Sequence, residues 1–563
     1  VQGSLTALRD WMLSGSDGFK RDRADVWSQI GGNVQQIDAL AAAWQDQQDL
    51  ADWARIKELL ATFAAAQDKA MRVRINADIR STDPGVNRDA NSDAIVLHMV
   101  EGLVGYRDDA SVAPLLAKSV DVSPDGKTYT FKLRDGLKFS NGEALTSADV
   151  LAAWQRYTDP KTAWRCLNDV TGKGVSKVTG VEAPDASTVV FTLEKPTALF
   201  LTTLARTDCG GTGIYHKSSL DAEGKWVKPV GTGPFTLSEW RSGQYVELAA
   251  NANYVSPGGD RTGYVGDKTP KVDAVRFMIV PDDAAAKAAL YSGDIDVLSD
   301  VNNADIEEFS GSDQLKVDKV PSMGLTGLLL QTRDPLLGDV RIRKALLLTL
   351  DLPEIAQALT NGQATASLSV IPTPSPYYGK TQSEVPARNI EEAKKLLAEA
   401  GYKGETIKWL ATKFYPSLFD AAILVQAMAQ EAGINIEIET LDWASLLDRY
   451  TAGNYSAMSF TYSARLDPTL SFDMVSGSKD KSANKVWDNP DGLKLIAESA
   501  SVTDQAKRQA MFDQLEGMMR ADVPLIPLYS GTRIGAVRAN VEGYKTWPVG
   551  YPRMWGVSFA AGQ

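Results

Sequence analysis

The chain has 563 residues, of which 44% are hydrophobic and 23% charged, and its formal net charge is −12. This length exceeds one ordinary core and predicts two or three domains of a globular protein. The acidic balance argues against a nucleic-acid partner, because phosphate binding needs a basic face. No apolar run approaches the roughly 18 residues of a membrane span. The chain begins at Val1 without a signal-peptide pattern, so we expect either that a leader has been removed or that the sequence has been trimmed.

The first 70 residues have a helical pattern. Apolar residues recur at spacings of three and four between Val26 and Trp44, and again from Trp53 through Leu59 or Leu60 to Phe63. The pattern predicts a helical extension over residues 1–70 that packs on the main body. A partner-binding coiled coil is the alternative, although no clean heptad continues for several repeats.

From Met71 onward, strand and helix patterns alternate. "MRVRINAD" alternates as a strand, and "DGKTYTFKLRDGLKF" indicates a hairpin with Asp125-Gly126 at its turn. A helix is predicted after the cap Thr146, and another between Asn389 and Gly401. The mixture predicts an α/β architecture. Proline-punctuated segments suggest that the chain leaves one lobe near residue 280 and returns near residue 530.

Cysteines and histidines are scarce. Cys166 and Cys209 allow one intramolecular bond, whose loop of about 43 residues would contribute roughly 4 kcal/mol and would indicate an oxidising compartment. Two unrelated buried thiols are equally compatible with the count. With only His98 and His216 and no CxxC, we expect no metal site, no cofactor and no catalytic triad.

The stretch "GTGPFTLSEWRSGQYVELAANANY", residues 231–254, places two glycines before a strand-like run. A phosphate-binding loop needs more glycines and a helix immediately after it. The order G-T-G-P-F, Trp, a G-Q turn and N-x-N-Y instead resembles the signature of family 5 solute-binding proteins, the dipeptide, oligopeptide and nickel receptors of ABC importers. Three further blocks that are similar to the family follow its order, at residues 123–156, 339–359 and 390–402.

The resemblance covers about residues 71–563 and implies a type II periplasmic binding fold of cluster C, with two lobes closing over a ligand. The domains that it implies are lobe I at 71–280 with an extra subdomain at about 100–230, lobe II at 281–528, and a return to lobe I at 529–563. It also implies a monomeric, non-catalytic receptor, periplasmic or tethered outside the cytoplasmic membrane, that serves an ABC permease. The family does not usually carry a segment like residues 1–70, so a sensory or interaction protein using that segment is an alternative.

In peptide receptors of the family, a second-lobe loop ending in Asp-Pro or Glu-Pro carries an Asp that pairs with the peptide α-ammonium. The matching segment is "MSFTYSARLDPTLSF", residues 458–472, with Asp467-Pro468 as its anchor. The ammonium-binding position falls on Ala464. An unpaired buried charge costs several kcal/mol, so a simple free peptide is disfavoured. Asp467 is expected to be structural, with pairing to a cationic ligand group as the alternative.

The same loop offers Tyr462, Ser463 and Arg465. Aromatic faces stack on sugar rings, and arginine makes bidentate contacts to carboxylate or phosphate. We therefore expect a small hydrophilic ligand, an oligosaccharide or a sugar-containing acid, ahead of an oligopeptide or a modified peptide.

Four more candidates rest on their match to family positions. Lys413 lies near the place where peptide receptors hold the ligand carboxylate, although an ordinary exposed lysine is equally compatible. Tyr415, two residues on, is a candidate for the ligand wall, although core is the commoner fate of an isolated aromatic. Arg80 follows the first strand and is expected to pair either with a ligand anion or with an interlobe carboxylate. Trp164 lies in the extra subdomain, where the family builds ligand walls, but burial against a disulfide explains it as well.

Overall fold

The computed structural model describes residues 23–41, 44, 46, 48–57, 70–86, 89–173 and 176–560. Contacts divide the chain into two compact units, Val1–Ala70 and Met71–Gln563.

The first unit contains the helix Arg23–Ala41 and a further helical segment at residues 48–57. Trp53 is buried, and its indole N–H donates to Asp38 Oδ1 at 2.9 Å, which also accepts from Lys57 at 2.8 Å. The predicted helical extension is therefore present at these positions. Its continuation to Leu59, Leu60 and Phe63 lies outside the described residues.

The strands among the described residues, in chain order, are β1 (Ala70–Ile75), β2 (Val104–Tyr106), β3 (Val112–Pro114), β4 (Ala117–Val122), β5 (Thr128–Leu133), β6 (Val178–Asp185), β7 (Thr188–Leu193), β8 (Phe235–Arg241), β9 (Tyr245–Ala250), β10 (Ala274–Ile279), β11 (Val297–Leu298), β12 (Leu315–Pro321), β13 (Leu325–Leu330), β14 (Thr406–Ala411), β15 (Asn435–Thr440), β16 (Ala457–Tyr462), β17 (Leu525–Tyr529), β18 (Thr532–Arg538), β19 (Val541–Glu542) and β20 (Ser558–Phe559). The α-helices of the main unit are Ala90–Val96, Ser147–Thr158, Leu167–Val170, Phe200–Ala205, Asp283–Ser292, Ile306–Ser310, Val340–Thr349, Leu352–Thr360, Lys380–Ser383, Ile390–Ala400, Pro416–Gln430, Trp443–Thr451, Pro468–Val475, Pro490–Ser499 and Gln505–Asp522.

Two mixed sheets define two lobes. Lobe I is built on a seven-stranded sheet of order β12-β18-β11-β1-β10-β9-β8, and lobe II on a five-stranded sheet of order β15-β14-β16-β13-β17. A four-stranded antiparallel sheet, β4-β5-β7-β6, forms the extra subdomain of lobe I. The predicted α/β architecture with two lobes and an added subdomain is confirmed.

The chain passes between lobes twice, from β12 to β13 and from β17 to β18. The first passage lies after Pro321, later than the predicted position near residue 280, because β11 pairs with β1 and β12 pairs with β18 in the sheet of lobe I. Pro281 instead precedes the helix Asp283–Ser292, whose Leu290 packs in the core beside Ile534 of β18.

The glycine turn and the helix caps that the sequence predicts are found at the predicted residues. Gly126 has φ +69° at the β4–β5 turn, and Thr146 forms a capping box with Asp149 at the start of a helix. Asn389 caps the helix Ile390–Ala400, which ends at Gly401 in the left-handed region. These devices satisfy backbone groups that a helix end leaves unpaired.

The glycine pair in the GTGPF stretch allows close backbone packing. A Cβ on Gly231 would collide with the carbonyl of Met99, and one on Gly233 with the carbonyl of His98. The N–H groups of Gly233 and Phe235 donate to those carbonyls, at 3.0 Å each. The stretch leads into the β8–β9 hairpin and holds no phosphate-binding helix terminus.

Candidate functional site

The loop after β16 is anchored by Asp467. Its carboxylate accepts a hydrogen bond from the backbone N–H of Thr469 at 2.9 Å, at the start of the helix Pro468–Val475. It also accepts two hydrogen bonds from the guanidinium of Arg508, at 2.7 and 3.0 Å, and both side chains are buried. Asp467 is thus engaged in holding the loop.

Residues 463–465 carry the polar groups of the loop. Arg465 Nη1 donates to Ser463 Oγ at 2.9 Å and to the carbonyl of Ala464 at 3.0 Å. No carboxylate in the described part of the chain lies within 4.0 Å of its guanidinium. Burial lowers the pKa of Arg465, and the positive charge of Arg206 lowers it further. Among the described residues, the loop therefore presents a partly buried cation with no carboxylate in direct contact, while Asp208 and Asp473 attract it from farther away.

The part of lobe I nearest this loop carries a network of ion pairs in which arginines and aspartates of lobe I pair with each other. Arg206 donates to Asp169 at 2.6 Å and to both carboxylate oxygens of Asp208, at 3.0 and 2.7 Å. Burial opposes the charge of Arg206, but its hydrogen bonds to Asp208 raise its pKa above the usual range. Arg165 lies 3.8 Å from the same Asp208 carboxylate. The nearest acidic groups of lobe I, Asp169 and Asp208, are thus already paired with arginines of lobe I.

Contacts between the lobes confirm that the loop lies at their junction. Leu466 packs against the hydrophobic core of lobe I. The backbone N–H of Ala198 in lobe I donates to the carbonyl of Ala500 in lobe II at 2.6 Å. Residues 463–465 therefore lie at the junction of the lobes, and their contact with a ligand stays a prediction.

A row of aromatic rings runs through lobe II from Tyr462. The ring centroids of Tyr462 and Phe460 are 4.9 Å apart, those of Phe460 and Trp443 5.9 Å, and those of Trp443 and Tyr415 5.0 Å. Tyr415 is 39% exposed at the far end of the row, beside Phe414, which is 64% exposed. The row links two predicted ligand contacts, Tyr415 and Tyr462, through rings that the sequence reasoning had not connected.

Lys413 and Arg80 have their described contacts elsewhere. Lys413 is exposed, and its Nζ lies 4.9 Å from the ring centroid of Phe419. The side chain of Arg80 is 73% exposed and pairs with Asp89 at 3.2 Å. The structure does not bring these two cations to the loop after β16, and their contact with a ligand stays a prediction.

Trp164 lies in the core of the extra subdomain. It is 3% exposed, and its indole N–H donates to the carbonyl of Cys209 at 3.2 Å. Its ring lies 5.0 Å from that of Tyr157. Cys166 and Cys209 form a disulfide with a Cα–Cα distance of 5.9 Å, which confirms the predicted bond. This geometry favours the packing explanation for Trp164 over a ligand wall.

Sequence reasoning missed an ion pair in lobe I. Asp83, eight residues after β1, accepts two hydrogen bonds from Arg156 at 2.6 and 3.0 Å. The guanidinium lies beside the paired rings of Tyr215 and Trp226, at 5.6 and 5.8 Å from their centroids. The indole N–H of Trp226 donates to Thr82 at 3.0 Å. No local pattern could have paired residues 73 positions apart. Arg206 and Asp208, by contrast, lie just before Cys209 in the chain. The sequence alone shows their two charges beside a cysteine of the predicted disulfide.

Neither a metal-binding cluster nor a membrane-spanning helix is present among the described residues. No group of three His, Cys, Asp or Glu side chains in the described ranges is arranged to hold a metal ion. None of the helices described in the structure combines the length and the apolar character needed to cross a membrane.

Comparison with known proteins gives a consistent result. The model of the family described as bacterial extracellular solute-binding proteins, family 5, matches residues 111–483. Heme-binding protein A of Haemophilus influenzae is 26% identical over 498 residues, covering 84% of this chain and 88% of that protein. The dipeptide-binding protein of Pseudomonas aeruginosa is 26% identical over 491 residues, covering 83% of this chain and 90% of that one.

A solved structure shares the same fold. HbpA2 from Haemophilus parasuis superposes with a TM-score of 0.74 at 25% sequence identity, covering 87% of this chain and 99% of that one. The matched part of the present chain includes both lobes.

Proposed function

Because the chain belongs to family 5 of the bacterial extracellular solute-binding proteins, which are non-catalytic receptors of ABC importers, we propose that it captures a small hydrophilic ligand with an acidic group in the periplasm and delivers it to a permease. A sugar-containing acid or an acidic oligosaccharide is the favoured ligand. The observation that carries this proposal is Arg465, a partly buried guanidinium at the lobe junction with no carboxylate within 4.0 Å in the described part of the chain.

The charges around the loop favour an anion over a free peptide amine. Ala464 supplies no carboxylate for an α-ammonium, and Asp169 and Asp208 are already bound to Arg206. An anion at Arg465 would gain charge-assisted hydrogen bonds, which are about twice as strong as neutral ones. The aromatic row that begins at Tyr462 adds ring faces on which a sugar can stack.

An oligopeptide or a modified peptide is the second candidate. The dipeptide-binding relative, similar over most of this chain, favours it. In such a complex Arg465 would bind the peptide carboxylate, and a blocked amino terminus would remove the need for the missing carboxylate at Ala464.

Calorimetry with three ligands of similar size tests the proposal. Digalacturonate is expected to bind, whereas lactose and trialanine are expected to bind much more weakly. Arg465→Met is expected to weaken digalacturonate binding roughly ten- to a hundred-fold, because a hydrogen bond to a charged group contributes about 1.5–3 kcal/mol. Arg341→Met is the matched control, since Arg341 is paired with Asp339 on a helix away from the loop.

Binding of trialanine at micromolar strength would overturn the ligand class. Mass spectrometry of small molecules that co-purify with the protein provides an independent check, and a co-purified acidic saccharide is the expected finding. Equal affinity of the Arg465→Met and Arg341→Met variants for digalacturonate would remove Arg465 from the site.

A further inference from the structure

Lobe II contains a second polar cavity at its outer end. It has a volume of about 510 Å³ and includes Tyr455 and Ser456, which directly precede β16, in its wall. The loop of the proposed ligand site follows β16 at the opposite end. Six residues of strand separate the two places, about 20 Å at roughly 3.3 Å per residue. This cavity is therefore distinct from the site between the lobes.

Cations dominate the wall of this cavity. Its charged side chains are Arg333, Lys408, Arg449, Lys479 and a single carboxylate, Asp334. That carboxylate is occupied within the fold: it accepts hydrogen bonds from the Ser456 hydroxyl at 2.6 Å and from the N–H of Leu336 at 2.8 Å. The cavity wall thus has an excess of positive charge that Asp334 does not offset.

Lys479 is the most unusual of these cations. It is 4% exposed, and its Nζ donates to two neutral groups, Gln331 Oε1 at 2.9 Å and the hydroxyl of Thr332. Within the described residues, no carboxylate lies within 4.0 Å of Nζ. An ammonium has three N–H donors, so one remains available. Burying an uncompensated ammonium is costly, and an anion in the cavity would offset that cost.

The electrostatic effect of burial agrees with this geometry. Burial lowers the pKa of Lys479, the charge of Asp488 raises it and that of Arg333 lowers it, and together they bring the pKa to about 8. The group is still mostly protonated at pH 7. A bound anion would stabilise the protonated form and raise this pKa.

The remaining cations surround the same space with only partial compensation. Lys408 has no carboxylate within 4.0 Å among the residues that the structure describes. Arg449 donates through Nε to the carbonyl of Asn454 at 2.7 Å and lies 3.7 Å from Glu439. Arg333 pairs at the rim with the exposed Asp480, at 2.9 Å, and lies 3.6 Å from Asp488. Several donors can therefore converge on one ligand.

We propose that this cavity is a second ligand site, which binds a small organic or inorganic anion with at least two carboxylate or phosphate groups. Its volume falls in the range of ordinary small-molecule sites. Lys479 anchors the anion from the buried side, and Lys408 and Arg449 hold it from the rim. The site lies wholly within lobe II, so its occupancy does not require the lobes to close.

Calorimetry with citrate and with pyrophosphate, at one fixed ionic strength, tests this proposal. The titrations use the full chain carrying Arg465→Met, which removes the cation of the interlobe site. At least one probe is expected to bind with one-to-one stoichiometry, and the stronger one identifies a carboxylate or a phosphate ligand. Adding Lys479→Met is expected to weaken that binding at least ten-fold. Lys481→Met, an exposed lysine two residues away, is the matched control and is expected to change nothing.

Three results would overturn the proposal: failure of both probes to bind, equal affinity of the Lys479→Met and Lys481→Met proteins, or citrate density in a soaked crystal that avoids Lys479. Urea unfolding checks the fold, and Lys479→Met is expected to be at least as stable as the parent because it removes an uncompensated buried charge. Lys408→Met, at an exposed position, is a second variant that is expected to weaken binding. The Arg465→Met background removes the cation of the proposed interlobe site from these titrations, so the two sites are tested separately.

Discussion

At the scale of single residues, two side chains in one loop have opposite roles. Asp467 is buried and bound on both sides by Thr469 and Arg508, so its charge is fully used within lobe II. In the part of the chain that the structure describes, Arg465, two residues earlier, donates to Ser463 and to the carbonyl of Ala464, and we propose that its charge is available to a ligand. A partnered charge stabilises the loop, whereas an unpartnered one at a junction selects what binds there.

The Arg508→Met variant tests the structural role of Asp467. Removing Arg508 leaves the buried Asp467 carboxylate without its counter-charge, which is expected to cost about 3–5 kcal/mol of stability. Urea unfolding measures the loss. Lys507→Met, an exposed neighbour on the same helix, is expected to stay within about 0.5 kcal/mol of the parent. Coincident unfolding curves for the two variants would contradict the assignment.

His98 predicts a dependence of stability on pH. It is fully buried, its Nδ1–H donates to the carbonyl of Ala94 at 2.7 Å, and its Nε2 accepts from the N–H of Met554 at 3.1 Å. Burial lowers its pKa, the hydrogen bond to Ala94 raises it and the charge of Lys268 lowers it, and together they bring the pKa to about 3. Between pH 6.5 and pH 3, His98 therefore binds a proton in the unfolded chain, whereas in the folded protein it stays neutral. Stability from this group is complete above pH 6.5 and falls as the pH falls.

The size of this effect follows from the linkage relation. Between pH 6.5 and pH 4.5 the wild type is expected to lose about 2–3 kcal/mol more than a His98→Gln variant, since each pKa unit corresponds to about 1.4 kcal/mol. Urea unfolding of both proteins at both pH values measures the difference. A constant gap in stability between them would show that His98 is protonated in the folded state.

At the scale of elements, the GTGPF stretch shows how a local signature reports tertiary packing. Gly231 and Gly233 run against the carbonyls of Met99 and His98, so the strand-like segment can approach the helix end at residues 90–96 and its following turn. The adjoining β8–β9 hairpin extends the sheet of lobe I. Small residues are needed here because two backbones meet, not because a ligand binds.

Gly233→Ala tests this reason for the glycine. The new Cβ would meet the backbone of His98, which cannot move aside as a flexible side chain could, and the expected cost is about 1–3 kcal/mol. Gly180→Ala in β6 is the matched control, because the nearest atom to its Cβ would lie at 3.9 Å. Thermal unfolding compares the two. An unchanged melting temperature for Gly233→Ala would show that the backbone contact relaxes without cost.

At the scale of the whole molecule, the two passages between lobes leave room for closure. β12 leads to β13 and β17 leads to β18 through short connections, so the lobes are joined by two adjacent segments. Hinge motion about such connections is the usual way in which two lobes close over a ligand. The hydrogen bond from Ala198 to Ala500 is a contact that such a motion would make and break.

A reversible cross-link tests this motion. The hydrogen-bonded backbones at Ala198 and Ala500 are expected to have Cα atoms about 5 Å apart, within the range that a disulfide spans. The Ala198→Cys/Ala500→Cys variant, oxidised without ligand, is expected to load digalacturonate at least ten-fold more slowly than after mild reduction. The native bond between Cys166 and Cys209 is buried and is expected to resist that reduction. Equal loading rates before and after reduction would show that the junction does not gate entry, and each single-cysteine variant serves as a control.

The amino-acid sequence by itself determined the local elements and the family. Caps such as Thr146 and Asn389, the glycine turn at Gly126, and the spacing of the GTGPF stretch depend on residues close together in the chain, so their physical rules can be applied without knowing the fold. The cysteine pair was also visible, although only the fold shows that the two residues lie 5.9 Å apart.

The tertiary structure decided what the charges do. Whether Arg465 is free depends on Arg206, Asp169 and Asp208, which are more than 250 positions away in the chain, and no local pattern encodes that distance. The same holds for the passage between lobes at Pro321, which is fixed by the pairing of β12 with β18. It also holds for Lys479, which is buried in lobe II with no carboxylate of the described residues within 4.0 Å of its Nζ. Charge pairing and strand order are properties of the folded chain, because they depend on which remote segments meet.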